Sequence, residues 1–278
     1  MNNEMKFMES GTFGGRHAYV KLKFSPHSDK ILVIFPPSQD LTYPLRINPY
    51  LQIKRYESLI PKDVVGTVYI LGYDPQISVE TFLADIAEDF GEFVKERIGP
   101  CMIAGISYGG GVAIPFASKF PELTKKLLLV VSSYAMSEQG INLCNEIIDL
   151  TSKNKRLQAQ LRLSCLVRNP LLRMFIKLST QINWNKKQPY LNPPSTIINA
   201  YIHMVKYNYG LKKYIHGIKA PTMMIGGTED QFFSVELYNE LADAIENCES
   251  ILFKGATHAV PVEKIFKIKK LVKEFLKT

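Results

Sequence analysis

Apolar runs, separated by a stretch with a helical repeat, dominate the first half of the chain. Residues 18–24 alternate between apolar and polar, as a half-buried antiparallel strand does. The runs at 31–35, 64–71 and 102–106 are almost entirely apolar, which is typical of strands covered on both faces. A helical pattern over 79–97, with acidic residues on its outer face, separates the last two runs. Buried strands that alternate with helices predict an α/β fold.

The second half contains a long helical stretch between further strands. Residues 127–131 form the next apolar run, and the pattern then becomes helical and poorer in β-branched residues. We therefore expect a core made of residues 1–134 and 210–278, with a helical cap (135–209) inserted in it. Four prolines divide the cap into several helices: Pro170, Pro189, Pro193 and Pro194.

The strand at 102–106 ends in a Gly-x-Ser-x-Gly pattern, formed by Gly105, Ser107 and Gly109. Small and apolar residues with a helical repeat follow, which gives the strand–turn–helix context in which a serine becomes a nucleophile. Such a turn holds the serine in a strained backbone conformation, and a Cβ at either glycine would collide with the facing strand or helix. Three fixed positions also occur by chance in loops, so the pattern needs support from the rest of the chain.

A serine hydroxyl is a weak nucleophile until a base, usually a histidine oriented by a carboxylate, takes its proton. Of the five histidines, only His203, His216 and His258 follow Ser107 in the chain. His258 lies in a loop between an apolar strand and the terminal helix, and Asp230 lies just past the end of another buried strand. The interval of 28 residues from Asp230 to His258 fits one helix and one strand, so both side chains should emerge at the same edge of the sheet.

Each of these residues also has a simpler interpretation. An Asp after a glycine turn is usually a helix N-cap, although Ser234 competes for that position. A His in a glycine-rich loop is usually a solvated polar residue. The order Ser–Asp–His, with strand ends in the correct places, favours a catalytic triad of Ser107, Asp230 and His258.

These motifs resemble those of α/β-hydrolase-fold serine hydrolases, and the similarity covers nearly the full length of the chain. The chain is most similar to small bacterial carboxylesterases of the pimeloyl-carrier-protein methyl ester esterase type, with C–C hydrolases, peroxidase-like enzymes and acyltransferases as further relatives. The resemblance implies an α/β-hydrolase fold. In that fold a mostly parallel twisted sheet is flanked by helices, and here the helical cap is inserted after the sixth strand.

The triad and the resemblance together predict a serine hydrolase that cleaves a carboxylic ester through an acyl-enzyme intermediate. Ser107 is the expected nucleophile, His258 the base and Asp230 the carboxylate that orients it. A thioesterase or an acyltransferase could use the same triad, and a ligand-binding protein with a nearly silent triad is an alternative from another class. No motif encodes the acyl group, because specificity depends on how the cap packs.

The loop after the first core strand departs from the family pattern. Most relatives have His-Gly there, and the next residue donates a backbone N–H to the oxyanion, whereas this chain has two prolines at 36–37, which have no N–H. The donor must then be Ser38 or Gln39, and alignment favours Ser38. Tyr108, the residue after the nucleophile, is expected to supply the second N–H. A loop rich in Pro and Tyr is predicted over 41–50.

The cap segment has a one-sided charge. Between Ser152 and Lys213 the chain has no Asp or Glu and twelve Lys and Arg. The whole chain has 34 basic and 26 acidic residues, so this segment accounts for all of the formal net charge of +8. The basic residues are Lys153, Lys155, Arg156, Arg162, Arg168, Arg173, Lys177, Lys186, Lys187, Lys206, Lys212 and Lys213.

Three interpretations of this basic segment stay open. The first is a solvated, lysine-rich surface. The second is a landing surface for an anionic substrate or an acidic acyl carrier protein. The third is attraction to an anionic membrane, which the amphipathic and basic stretch 171–177 supports. Nucleic acid is not an expected partner, because no recognition motif accompanies the charge.

The remaining composition fits one enzyme-sized domain, since 278 residues with 46% hydrophobic content can bury a substantial core. The N-terminus lacks a basic-then-apolar leader pattern, and no apolar run is long enough for a transmembrane segment. No His, Cys and carboxylate cluster has metal-ligand spacing. We expect a cytoplasmic protein without metal or cofactor. Four cysteines without paired spacing indicate reduced thiols: Cys101, Cys144, Cys165 and Cys248.

Overall fold

The structure is a computed structural model, and it describes residues 6–24, 28–43, 56 and 59–277. The strands in these residues are β1 (Lys6–Phe13), β2 (His17–Lys23), β3 (Ile31–Phe35), β4 (Thr67–Leu71), β5 (Cys101–Ile106), β6 (Thr124–Val130), β7 (Thr222–Gly227) and β8 (Cys248–Phe253). They form one sheet with the order β1-β2-β4-β3-β5-β6-β7-β8. β2 pairs antiparallel with β1 and β4, and the other neighbours are parallel. The predicted mostly parallel sheet is confirmed.

Helices flank this sheet. They are α1 (Gln39–Thr42), α2 (Leu83–Arg97), α3 (Tyr108–Lys119), α4 (Glu138–Ser152), α5 (Arg156–Arg162), α6 (Pro170–Lys187), α7 (Pro194–Lys206), α8 (Val235–Ala244), α9 (Val260–Glu263) and α10 (Ile265–Lys277). Short 3₁₀ turns lie at Pro121–Leu123, Leu163–Leu166, Gln188–Tyr190 and Lys212–Gly217.

Alternate residues of the central strands pack on opposite faces of the sheet. On one face, Ile103 of β5 belongs to a buried cluster with Phe90 of α2 and Phe116 of α3. On the other face, Ala104 belongs to a second buried cluster, which includes Val272 of α10. All six residues of β5 are buried. Burial on both faces explains why the central strands have continuous apolar sequences rather than alternating ones.

Four elements differ from the sequence expectation. Strand β4 begins at Thr67 rather than at residue 64, and β6 spans Thr124–Val130 rather than 127–131. Strand β1 adds an antiparallel edge to the sheet, and its irregular sequence of polar and apolar residues gave no period by which to predict it. Helix α2 begins at Leu83, four residues after the predicted start at 79. The Asp85 carboxylate accepts the backbone N–H of Phe82 at 2.8 Å, and this bond fixes the first turn at the later position.

Helices α4 to α7 occupy the segment between β6 and β7 that the sequence assigns to the cap. Ser137 and Asn169 cap α4 and α6 with their side chains, and Pro170 and Pro194 lie in the first turns of α6 and α7. Helix α7 packs against α4 and contacts α1. The first residues of the loop predicted over 41–50 belong to α1, and residues 44–50 lie outside the described residues.

Candidate active site

Ser107 forms the turn between β5 and α3 and has a strained backbone. Its φ of 51° and ψ of −115° place it in a region that non-glycine residues rarely adopt. A Cβ built on Gly109 would overlap the carbonyl oxygen of Phe35, and one on Gly105 would lie 2.6 Å from the Cα of Gly110. Because these two glycines have no side chain, Gly109 packs closely against β3 and Gly105 against α3, as the Gly-x-Ser-x-Gly pattern predicts.

The structure brings Ser107, Asp230 and His258 into one hydrogen-bonded line. His258 Nε2 lies 2.9 Å from Ser107 Oγ, and His258 Nδ1 lies 3.0 Å from each oxygen of Asp230. The three residues follow β5, β7 and β8, whose carboxyl ends meet at the same edge of the sheet. With an ionised Asp230, the Nδ1 proton is held by the carboxylate and the Nε2 lone pair faces the serine hydroxyl.

Asp230 is fully buried and has other hydrogen-bond donors besides His258. One carboxylate oxygen accepts the backbone N–H groups of Phe232 and Phe233 at 2.8 and 3.2 Å, and the other accepts the Tyr238 hydroxyl at 2.9 Å. Burial and the Asp230 charge raise the pKa of Tyr238 well above its ordinary value, so the phenol keeps its proton and donates it. These donors offset the cost of burying a carboxylate.

Asp230 does not cap helix α8, so its simpler interpretation as a helix N-cap is wrong for this helix. Ser234 caps this helix, since its hydroxyl accepts the backbone N–H of Leu237 at 3.4 Å. The two backbone bonds to Asp230 instead close the turn that leads from β7 toward α8. The carboxylate is thereby fixed with its free edge toward His258.

Aromatic rings and a glutamine hold His258 in place. Its imidazole centroid lies 4.8 Å from the ring of Phe232 and 5.8 Å from that of Phe233, and its side chain is 9% exposed. Its backbone N–H donates to Gln231 Oε1 at 3.1 Å. The imidazole is thus restrained on several sides while its Nε2 edge points at Ser107.

Glu263 joins the loop of His258 to the start of the cap helix α6. Its carboxylate accepts the Thr257 backbone N–H at 3.2 Å and the Arg168 backbone N–H at 2.8 Å. The Thr257 hydroxyl also donates to the Leu166 carbonyl oxygen at 2.5 Å. Glu263 is a positioning residue that no local sequence motif identifies.

A cavity of about 660 Å³ opens over Ser107. Core and cap residues line it, and most of the lining side chains are apolar or aromatic. A volume of this size is in the usual range for sites that bind small molecules. The residues that bear on its chemistry are Phe82, Tyr108, Met136, Met204, Tyr207 and Leu211 on its walls, with Lys119, Lys212 and Lys213.

Of the two residues expected to bind the oxyanion, Tyr108 lines the same cavity as Ser107. Its backbone N–H is the first of helix α3, and the first N–H groups of a helix have no acceptor within the helix. Ser38 lines a separate small cleft and shares a hydrogen bond of 2.9 Å between its hydroxyl and that of Tyr201 in α7. The carbonyl oxygen of Pro36, two residues before Ser38, lies next to Gly109, so the Ser38 segment borders the serine turn. An inward orientation of the Ser38 N–H stays a prediction.

The other histidines that follow Ser107 in sequence have different surroundings. His203 lines the cavity, but its Nδ1 faces the Val79 carbonyl oxygen at 3.4 Å, and burial lowers the pKa of its imidazole. His216 is exposed in the 3₁₀ turn before β7. Of these histidines, His258 is the one hydrogen-bonded to Ser107.

The basic segment is partly neutralised in the structure. Within the part of the chain that the structure describes, four of its twelve cations lie within 4.0 Å of a carboxylate, and two others donate to backbone carbonyls: Arg156 to Asn192 and Arg173 to Val167. The ion pairs are Lys153–Asp149, Arg162–Glu146, Arg168–Glu229 and Lys212–Glu240. The acidic partners lie outside the segment in sequence. A count of charges within the segment therefore does not include them.

Within the described residues there is no group of His, Cys, Asp and Glu side chains arranged to hold a metal ion. The same part of the chain has no helix with the length and apolar character needed to cross a bilayer. The four cysteines are free, and burial raises the pKa of Cys101 and Cys144 to about 12. Thiolate chemistry is therefore disfavoured at both sites.

The chain is similar to curated lipases. It is 26% identical over 199 residues to "Monoacylglycerol lipase ABHD6" of Homo sapiens, which covers 67% of this chain and 58% of the relative. It is 24% identical over 186 residues to "Monoacylglycerol lipase abhd6-A" of Xenopus laevis, which covers 63% of this chain and 54% of the relative. The chain thus spans just over half the length of these relatives.

Solved structures share the fold at low sequence identity. An esterase from Exiguobacterium antarcticum superposes with a TM-score of 0.72 and 13% identity, covering 97% of this chain and 99% of the other. The enol-lactonase from Burkholderia xenovorans LB400 superposes with a TM-score of 0.73 and 14% identity, covering 97% and 100%. These similarities show the fold, with the segment of α4 to α7 included in the matched length.

A family model described as "Serine aminopeptidase, S33" matches residues 76–265, which include Ser107, Asp230 and His258. The predicted class, an α/β-hydrolase-fold serine hydrolase, is confirmed. The narrower similarity to pimeloyl-carrier-protein methyl ester esterases stays a prediction. On its fold and on this match over most of its length, the chain belongs to the serine aminopeptidase S33 family of α/β hydrolases.

Proposed function

We propose that the protein is a serine hydrolase that cleaves carboxylic esters through an acyl-enzyme intermediate. The observation that carries the proposal is the continuous hydrogen-bonded line from nucleophile to carboxylate. It runs over 2.9 Å from Ser107 Oγ to His258 Nε2 and over 3.0 Å from His258 Nδ1 to Asp230. The strained turn at Ser107 and the buried donors to Asp230 support the same roles.

In the first step the Oγ–H bond of Ser107 breaks as its proton moves to His258 Nε2. The oxygen forms a bond to the acyl carbon, and the carbonyl electron pair moves onto the oxygen of the tetrahedral intermediate. Asp230 stabilises the imidazolium that results. The backbone N–H groups of Tyr108 and Ser38 are proposed to bind the oxyanion, and one such donor is worth about 2.7–4 kcal/mol of barrier.

In the second step the intermediate expels the alcohol, which takes the proton from Nε2 of His258. The acyl group stays on Ser107 Oγ. A water molecule then attacks the acyl carbon while His258 accepts one of its protons, and collapse of the second intermediate returns that proton to Ser107. The products are the free acid and the alcohol, and the triad regains its starting protonation.

The cavity supports an ester with an apolar acyl chain as substrate. Its volume of about 660 Å³ and its walls of aromatic and aliphatic side chains suit such a chain. The curated relatives are named monoacylglycerol lipases, which is the same chemical class. We therefore propose monoacylglycerols and comparable neutral esters as the substrates to test first.

An anionic or carrier-bound acyl group is the alternative that the basic segment raised. Three lysines lie along the cavity, but Lys119 pairs with Glu88 and Lys212 with Glu240. Paired cations attract an anion less than free ones, so a neutral ester is favoured. If the carrier were the substrate, kcat/KM would fall steeply with added salt for the charged acyl group and stay level for a neutral ester.

The decisive experiment uses a fluorophosphonate probe together with esters of increasing acyl length. Ser107→Ala should lose both labelling and hydrolysis. Ser133→Ala is the matched control, because Ser133 lines the same cavity while its hydroxyl donates to the Leu237 carbonyl oxygen. A burst of alcohol before steady turnover would show the acyl-enzyme. Labelling that survives in Ser107→Ala, or wild-type protein that binds esters without turnover, would contradict the proposal.

A further inference from the structure

Helix α6 exposes an apolar stripe. None of its residues is buried. Leu171 is 73% exposed, Phe175 67% and Ile182 75%. On a helix with about 100° per residue, the exposed apolar residues fall within an arc of about 100°. On an ordinary surface helix, an apolar stripe of this width faces the core. On α6 the stripe is exposed instead, which indicates a surface that contacts a partner. The stripe consists of Leu171, Met174, Phe175, Leu178 and Ile182.

A second group of exposed apolar residues lies beside the start of α6. Val262 is 57% exposed and Phe266 84% exposed, in α9 and α10. Glu263 lies next to Val262, and its Oε1 accepts the backbone N–H of Arg168, which immediately precedes Asn169, the N-cap of α6. Two segments far apart in sequence thus expose apolar side chains close to the start of α6. We call the stripe of α6 with Val262 and Phe266 the docking face.

The charges around the docking face are mainly positive. On the same helical projection, Lys177 and Lys186 flank the stripe on its two sides, and both are exposed. Helix α6 has no acidic residue. Exposed Lys267 follows Phe266 directly in α10. An apolar stripe flanked by lysines is the pattern of a helix that lies in the plane of a membrane interface.

We propose that the docking face binds the surface of a bilayer that contains anionic lipids. The apolar side chains of α6 and Phe266 enter the boundary between headgroups and acyl chains, and the flanking lysines contact lipid phosphates. Because the binding surface lies outside the Ser107 cavity, the proposal goes beyond the proposed ester hydrolysis and does not depend on it.

Other occupants fit the docking face less well. A second copy of the chain would cover the apolar stripe but would bring two sets of lysines together. An acidic carrier protein would match the lysines but would have to offer an apolar surface to cover Phe175 and Ile182. A lipid interface supplies negative charge and an apolar layer at the depth that the stripe and its flanking lysines require.

Vesicle sedimentation tests the proposal. The full chain is mixed with vesicles of phosphatidylcholine alone or of equal parts phosphatidylcholine and phosphatidylglycerol. We expect binding to the mixed vesicles at least about tenfold tighter than to phosphatidylcholine, weakened by added salt. Phe175→Glu combined with Ile182→Glu should reduce binding about tenfold or more. Lys177→Glu combined with Lys186→Glu should remove most of the preference for the anionic lipid.

Met8→Glu is the matched control, because Met8 is also an exposed apolar residue (46%) but lies on β1, at the opposite edge of the sheet from β8. This variant should bind as the wild type does, and so should Ser107→Ala, which separates docking from catalysis. All variants should keep the wild-type Tm. Absence of binding, or full binding by the Phe175→Glu and Ile182→Glu double variant, would overturn the proposal. A dimer or an acidic-protein complex lost in that double variant, without vesicle binding, would assign the face to that partner instead.

Discussion

The two halves of the candidate active site are held by different parts of the molecule. In the half with His258 and Asp230, the direct hydrogen-bond partners of both residues come from the core. Tyr238 donates to Asp230 from α8, and Gln231 accepts the backbone N–H of His258. These partners belong to the segments that follow β7, and they bond to the triad directly. The cap contacts this half from behind them, where Gln231 Nε2 donates to the Cys165 carbonyl oxygen at 3.3 Å and Glu263 accepts the Arg168 backbone N–H at 2.8 Å.

The half with Ser38 depends on the cap. The Tyr201 hydroxyl of α7 is hydrogen-bonded to that of Ser38 at 2.9 Å. The Asn192 side-chain amide donates to the Leu41 carbonyl oxygen at 3.0 Å, and its backbone N–H donates to the Thr42 carbonyl oxygen at 3.0 Å. The segment proposed to bind the oxyanion is thus attached to cap residues far away in sequence.

This difference separates two kinds of functional effect. Changes in the core half alter proton transfer, so they should lower kcat for every ester. Changes in the cap half alter the position of the Ser38 segment and the walls of the cavity, so their effect should be smaller and should vary with the substrate.

Asp230→Asn should give the largest effect, roughly a ten-thousand-fold fall in kcat. An amide favours the wrong tautomer of His258 and stabilises the imidazolium less well. The measurement is kcat on a short-chain nitrophenyl ester, with Asp243→Asn as control because that carboxylate is exposed on α8. A loss of less than about tenfold would show that Asp230 does not orient the base.

Tyr238→Phe should come next, with about a tenfold fall in kcat and about 1–3 kcal/mol lost from the free energy of unfolding. The variant removes one of the donors to a buried carboxylate. The control is Tyr19→Phe, whose hydroxyl donates at 3.3 Å to the exposed Glu9. Urea unfolding and steady-state kinetics measure both quantities. Equal losses of the free energy of unfolding in the two variants would show that the hydrogen bond from Tyr238 stabilises the fold no more than the exposed one from Tyr19.

The sequence predicts the triad because its signals are local. A buried strand, a turn and a helix are visible around Ser107, and the ends of β7 and β8 are visible before Asp230 and His258. Neighbouring parallel strands place their carboxyl ends together, so strand ends alone bring these residues into one site. The placement of the helical segment between β6 and β7 follows from the same kind of pattern.

The supporting residues could not be predicted in this way. Tyr238 and Tyr201 resemble ordinary packing aromatics in their helices, and only the fold shows that their hydroxyls meet Asp230 and Ser38. The one usable signal is general, since a buried tyrosine hydroxyl needs a partner. Glu263 joins the His258 loop to the cap across 95 residues of chain, and its partners depend on packing that sequence periodicity does not encode.

Tyr201→Phe tests the cap half and should lower kcat about three- to tenfold. The variant removes the hydrogen-bond partner of the Ser38 hydroxyl but leaves intact the Ser38 backbone N–H, the proposed oxyanion donor. Ser38→Ala should have a similarly small effect, and the double variant should be no worse than either single one, because both remove the same bond. Tyr190→Phe, an exposed cap tyrosine, is the control. Fully additive losses would show that the two hydroxyls act separately.

The smallest effect is expected at His203, a buried histidine in the cap. Burial lowers the pKa of its imidazole, while Asp85 and Glu80 act in the opposite direction. As the pH falls below the unfolded value of about 6.5, the unfolded chain takes up a proton before the folded protein does. The stability from the neutral group is therefore present above that pH and is lost as the pH falls toward the lower, folded pKa.

His203 packs between the rings of Phe82 and Tyr207, at centroid distances of 4.7 and 4.6 Å, so a phenyl ring fits the same space. His203→Phe should reduce the fall in Tm between about pH 7.5 and about pH 5.5. Equal falls in the variant and the wild type would show that protonation of His203 does not destabilise the cap.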